Sequence, residues 1–302
     1  MYFFTSYICK RYKFIGIMLF LLMVILLFYC NINFIHKSLN SDDSSELILG
    51  SLLAKENAFF LSNNWCYSSE IRILNTQIVN GLLFRFFNDW LTIRILGNGI
   101  AYIILLICIY LFCKVIDIIE EFPYIACIII SPFSLVYYRY VLSVPYYIPH
   151  IVIIILGLCF MIKFHEHSKL KYLIYASLLS LVAGIGGSRH LLIFYGPLVF
   201  ASLFIWHKNS NSFEIKKIIR FNMTILLFNF IGVIFNGIVL RKIYSFASFQ
   251  SVHYIDFSLT RLGNFIASLF SNLGFINQKN IFSYISFVNF SAIIVIIILY
   301  FF

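Results

Sequence analysis

Lys10-Arg11-Tyr12-Lys13 leads into Phe14-Ile15-Gly16-Ile17-Met18-Leu19-Phe20-Leu21-Leu22-Met23-Val24-Ile25-Leu26-Leu27-Phe28-Tyr29, and Asp42-Asp43-Ser44-Ser45-Glu46 follows shortly after. Cations, an unbroken apolar run and then an acidic pair read as a membrane span whose N-terminus is cytosolic and whose carboxylates stand at the outer face. The cationic start is that of a secretory signal, but no small-x-small cleavage site comes after it. Phe28 and Tyr29 before Cys30 do not suit a lipoprotein site. The segment is therefore expected to be an uncleaved signal anchor.

The rest of the chain continues in the same solvent. Of 302 residues, 62% are hydrophobic and only 11% charged, more apolar surface than a water-soluble domain can cover. A spanning helix needs about 20 apolar residues. Runs of that kind predict eight spans near 14–35, 93–113, 122–139, 146–162, 172–187, 190–206, 221–240 and 282–302. The expected fold class is all-α: a polytopic transmembrane helix bundle forming one membrane domain over 1–302.

Charge gives the orientation. The short segments 1–13, 114–121, 163–171 and 207–220 carry Lys10, Arg11, Lys13, Lys114, Lys163, Lys169, Lys171, Lys208, Lys216, Lys217 and Arg220, half of the 22 Lys and Arg. The positive-inside rule places these segments in the cytosol. The net charge of +10 is thus assigned to topology and anionic lipid headgroups, and no nucleic-acid motif is present. The 7 cysteines lie mostly in apolar runs and show neither a disulfide framework nor metal-ligand spacing. The 35 Phe and 20 Tyr are spread throughout, a bias rather than a platform.

The least apolar part is the first extracytoplasmic loop, 36–92. Asp43-Ser44-Ser45-Glu46 fits a capping box, with Asp43 as N-cap. Leu47, Ile48, Leu52, Leu53 and Phe59 then recur at helical spacing, predicting an amphipathic helix along the membrane surface. After a turn at Ser62-Asn63-Asn64, a second amphipathic helix is predicted from Glu70 to about Phe87, with Ile71, Leu74, Ile78, Leu82 and Phe86 on one side. Alternation of the spans brings Arg139, His150, Arg189 and His190 to the face that carries Asp42 and Asp43. A late extracytoplasmic segment, 241–281, holds Arg241, Lys242, His253, Asp256 and Arg261, with an interfacial or re-entrant stretch from Leu259 to Phe275. The final run, Phe287 to Phe302, has no polar tail, so a shortened protein is expected.

Each conspicuous residue also has a plain explanation. Aspartates cap helices because a carboxylate accepts orphan backbone N–H groups at the positive end of the helix dipole. Glu70 is an ordinary first-turn glutamate on the same grounds. An arginine at a span end snorkels to headgroups.

The architecture resembles the GT-C class of integral membrane glycosyltransferases. The likeness is strongest from Asp42 to Gly99, through Asp42-Asp43-Ser44-Ser45-Glu46, Asn64-Trp65-Cys66-Tyr67-Ser68-Ser69-Glu70 and Asp89-Trp90-Leu91-Thr92-Ile93-Arg94. Weaker echoes are Tyr146-Tyr147-Ile148-Pro149-His150 and Gly186-Gly187-Ser188-Arg189-His190. It implies an inverting transferase that moves sugar from a polyprenyl-phosphate donor to a glycan, lipid or protein acceptor at the outer face of the cell membrane. Under that resemblance Asp43 matches the catalytic carboxylate, Asp42 is its near competitor, and Glu70 assists or joins Asp43 in holding a divalent metal. Arg189 is the leading ligand for the donor phosphate, since a planar guanidinium makes bidentate contacts to phosphate oxygens. Arg72, Arg139, His190 and Tyr147 are the further substrate-binding candidates. Other classes also accommodate the chain: a lipid-linked saccharide transporter or flippase, a polysaccharide polymerase, or a non-catalytic assembly subunit. Ionisable residues in mid-span and paired Gly/Pro-broken helices would favour the transporter.

Overall fold

The computed structural model describes residues 2–37, 39–68, 71, 73–132, 137–208 and 213–247. They are overwhelmingly helical, as expected. Helix α1 (Tyr2–Phe34) ends in a 3-10 turn, Ile35–Lys37, and is followed by α2 (Ser41–Lys55) and α3 (Thr76–Leu83). Helix α4 (Trp90–Val115) returns through the bundle, and α5 (Phe122–Ile130) doubles back. Next come α6 (Ile148–His167), α7 (Leu170–Ile185), α8 (Gly196–Lys208) and α9 (Phe213–Phe235). π-Helical turns precede α6 and α8 and extend α9, at Tyr138–Leu142, Leu191–Tyr195 and Asn236–Leu240.

Four segments are long and apolar enough to cross a membrane: Tyr12–Phe34, Trp90–Val115, Pro145–His167 and Glu214–Ile243. Leu170–Ile185 and Leu191–His207 are apolar but shorter. The eight expected spans are therefore not reached among the described residues. The eighth, 282–302, lies outside them, as does most of 241–281. The third, 122–139, is cut short at Ile130, because Ser131 turns extended (φ −72°, ψ 128°) before Pro132. A residue preceding proline is driven out of the helical region by the ring.

Two apolar cores hold the bundle. Leu27, Tyr102, Leu105, Ile109, Ile130 and Leu142 join α1, α4 and α5 to the turn before α6. Ile153, Ala176, Ala183, Phe194, Phe221 and Ile225 join α6, α7, the turn before α8 and α9. In lipid, close approach and buried polar bonds carry much of helix association. The α7–α9 contact uses both. Ser180 Oγ donates to Ile225 O at 2.5 Å, and Asn229 Nδ2 donates to Ser180 O at 2.9 Å.

Side-chain contacts sort the turns into two ends. At one end Lys13 pairs with Glu120 at 2.5 Å, and Lys217 Nζ donates to His165 O at 2.7 Å. These link the basic segments that the sequence assigns to the cytosol. At the other end Cys66–Tyr67 pairs in parallel with Ser245–Phe246, in register Cys66 to Ser245. The first loop and the chain beyond α9 thus share a face, as alternation requires.

The first loop corrects two expectations. Asn40, not Asp43, is the N-cap of α2: Asn40 Oδ1 accepts from the Asp43 backbone N–H at 2.9 Å. The helix starts three residues earlier than the capping box implied, which frees the Asp43 carboxylate for another partner. The second helix is shorter than Glu70–Phe87, starting at Thr76 and ending at Leu83. Gly50 on α2 and Gly81 on α3 let the two short helices touch: a side chain at Gly50 would lie 2.7 Å from Asn80 Cβ and 3.1 Å from Gly81 N.

Candidate functional site

Asp43 occupies the first turn of α2, just beyond α1, and its side chain turns inward. Arg94 reaches it from α4, which Asp89 starts by accepting from Thr92 N–H at 2.8 Å. Arg94 Nε pairs with Asp43 Oδ2, and Arg94 Nη1 donates to Ile35 O at the end of α1. Their side chains are 4% and 7% exposed. Burial pushes the Asp43 carboxyl up to about 6, and the guanidinium offsets this only in part. The group therefore titrates near the pH at which a general base works best.

Below this pair lies a cavity of about 260 Å³. Asp43, Glu46, Asn75, Arg94 and Asn98 contribute its polar lining, and Ile104, Ile153, Leu156 and Leu179 line an apolar shaft. Leu156 lies eight residues into α6, so the shaft descends roughly 12 Å along the helices. Asn98 is fixed by donating to Asn31 Oδ1 at 3.1 Å and Ser143 O at 3.0 Å, tying α1 and α4 to the turn before α6. Glu46, one turn beyond Asp42 and Asp43, accepts from Thr76 Oγ1 at 3.2 Å.

Successive residues on a helix point about 100° apart, so the two aspartates serve different places. Asp42 is exposed and lines a smaller cavity of about 130 Å³ with Ser45, Trp65, Gln77 and Tyr146. Glu46 and Tyr146 line both cavities.

The other sequence candidates form a second cluster at the same end. His150 Nδ1 lies 3.2 Å from His190 Nε2, and Arg189 Nη1 lies 3.4 Å from His150 Nε2. The Arg189 guanidinium stands 5.8 Å from the centre of the Tyr147 ring. Gly187, at φ 118°, makes the turn before Arg189 in a conformation that suits only glycine. Arg189, His190 and Tyr147 do not line the cavity below Asp43. Tyr146 joins the two places, its ring 5.0 Å from that of Tyr147 and 6.3 Å from that of His150.

Glu70, Arg72 and the side chain of Arg139 lie outside the described residues. Of the two carboxylates expected to hold a divalent metal, Asp43 has its Oδ2 on the Arg94 guanidinium and Glu70 lies outside the described residues. Among the described residues no three His, Cys, Asp or Glu side chains gather as a metal-holding group.

Sequence reading missed Arg94 as the partner of Asp43. The signal was present: an ionisable residue inside an apolar helix is costly, and is retained for a partner or a task. It also treated Glu46 as a cap and passed over Asn75 and Asn98, which polar composition alone does not distinguish. No family model, curated protein or solved structure matches this chain.

Proposed function

We propose that this chain is an inverting membrane glycosyltransferase of the GT-C type, moving a sugar from a polyprenyl-phosphate donor to a glycan, lipid or protein acceptor. The observation that carries this reading is the Asp43 carboxylate. It is buried where the first span ends, held by Arg94, and set over a cavity with a polar head and an apolar shaft. A lipid-borne donor has that same division of character.

In this mechanism Asp43 accepts the proton of an acceptor hydroxyl. The acceptor oxygen bonds to the anomeric carbon from the side opposite the phosphate. The bond from that carbon to the phosphate oxygen breaks, and its electron pair leaves with the polyprenyl phosphate. Arg94 orients Asp43 and supplies positive charge at the polar end of the cavity, where a preorganised cation counts most. Arg189, with His150 and His190 behind it, adds a second positive charge at this end on the far side of Tyr146, outside the cavity that takes the donor. The working face is the outer one, by the distribution of basic residues.

The test is transfer from radiolabelled polyprenyl-phosphate sugars by the purified protein in proteoliposomes. Transfer with inversion is expected, and Arg189→Ala, a change outside that cavity, should lower it less than Asp43→Asn does. No transfer from any polyprenyl-phosphate sugar would overturn the assignment.

A further inference from the structure

Asn75 carries a buried side chain for which the described residues supply no partner. It is the N-cap residue of α3, yet its side chain makes no cap bond. It is 5% exposed, and neither Nδ2 nor Oδ1 has a hydrogen-bond partner among the described residues. It lines the cavity below Asp43, beside Thr76 and Asn80. An amide with both ends buried and unpaired costs free energy that a folded chain normally avoids. Such a group persists where something else completes it.

The chemistry of the amide selects what that is. Its oxygen needs a donor and its nitrogen offers donors, side by side in one plane. A phosphate would leave the oxygen unsatisfied, and an ammonium would leave the nitrogen unsatisfied. A pair of adjacent hydroxyls matches both, each giving and accepting. The apolar shaft that continues from this polar end asks for a hydrocarbon chain on the same molecule.

We infer that Asn75 is a sugar-recognition residue, whose amide binds two neighbouring hydroxyls on the sugar head of an amphiphile, with the lipid portion in the shaft. This rests on the glycosyltransferase reading for the identity of the ligand and deepens it. Asn75 selects the sugar and takes no part in the proton transfer at Asp43. A site built to hydrogen-bond a hydroxyl discriminates against ligands that lack it, because its own polar groups are then stranded.

The experiment uses the full chain in lipid nanodiscs. Binding of farnesyl phosphates bearing glucose, mannose or galactose is compared with that of farnesyl phosphate alone, in the parent, Asn75→Leu and Asn75→Asp. In the parent, at least one sugar-bearing compound should bind about 10-fold or more tightly than farnesyl phosphate, the increment of two net hydrogen bonds. Asn75→Leu should erase that ratio while leaving the affinity for farnesyl phosphate unchanged. Asn75→Asp, which keeps only the acceptor, should fall between.

Thermal unfolding of the unliganded variants separates recognition from structure. Asn75→Leu removes an unsatisfied buried amide, so its midpoint should equal or exceed the parent's. A lowered midpoint would mean that the side chain supports the fold, and would overturn the inference. Equal binding of all the farnesyl compounds in the parent would also overturn it. Sugar-dependent binding that requires Asn75, in a protein that transfers nothing, would leave this site standing while removing the transferase reading.

Discussion

Asp43 and Arg94 form a unit, and removing either alone exposes what the other contributes. Arg94→Met leaves a carboxylate buried without its cation, a change that costs about 3–5 kcal/mol in other proteins. A fall of that size in the stability of the detergent-solubilised protein is expected, with part of it recovered in Asp43→Asn/Arg94→Met. Strict additivity of the two single changes would show that the pair is not coupled. The raised carboxyl also fixes a pH dependence. The folded state holds the Asp43 proton more tightly than the unfolded chain does, so this residue adds stability below its ordinary value of 3.8. That stability is lost as pH rises through about 6. Base catalysis runs the other way: transfer should rise with pH up to about 6 and then level off, a limb that pH–rate profiles would reveal. The importance of Asp43 was legible in the sequence because a carboxylate beside an apolar run stands out. Its partner was not, since 51 positions separate it from Arg94 and only the antiparallel return of α4 brings them together.

At the scale of elements, the membrane helices were legible as apolar runs, while their ends were decided by local chemistry. Pro132 cut one run short, and Asn40 rather than Asp43 capped α2, its side-chain oxygen accepting from the Asp43 N–H in the first turn. The closest helix contact was not legible, since glycines in apolar helices are common. A side chain at Gly184 would lie 2.1 Å from Asn229 O, and one at Gly232 would lie 2.3 Å from Leu181 O. Gly184→Ala should therefore force α7 and α9 apart and lower stability by about 1–3 kcal/mol, as overpacking does. Gly237 has nothing within 4 Å of the same position, so Gly237→Ala serves as the control and should not destabilise. Thermal unfolding of the two variants in one detergent checks both; equal midpoints would show that the α7–α9 contact is looser than described.

At the scale of the whole molecule, alternation of the helices gathers Asp43, His150, Arg189 and His190 at one end, and the basic turns at the other. This was legible from charge and hydropathy together, because each crossing reverses the side on which the next turn emerges. The parallel pairing of Cys66 with Ser245 makes it testable. Neighbouring strands lie about 4.8 Å apart, within the reach of a disulfide. Ser245→Cys should form a bond to Cys66 under mild oxidation, seen as a mobility shift that reductant reverses and that Cys66→Ser prevents. Absence of the cross-link would place the first loop and the chain after α9 apart. The most direct measurement is the rate of sugar transfer from a radiolabelled polyprenyl-phosphate donor in proteoliposomes at pH 7, parent against Asp43→Asn. Loss of general-base action lowers such rates about 100-fold or more, and that loss is expected here; equal rates in the two proteins would contradict Asp43 as the base.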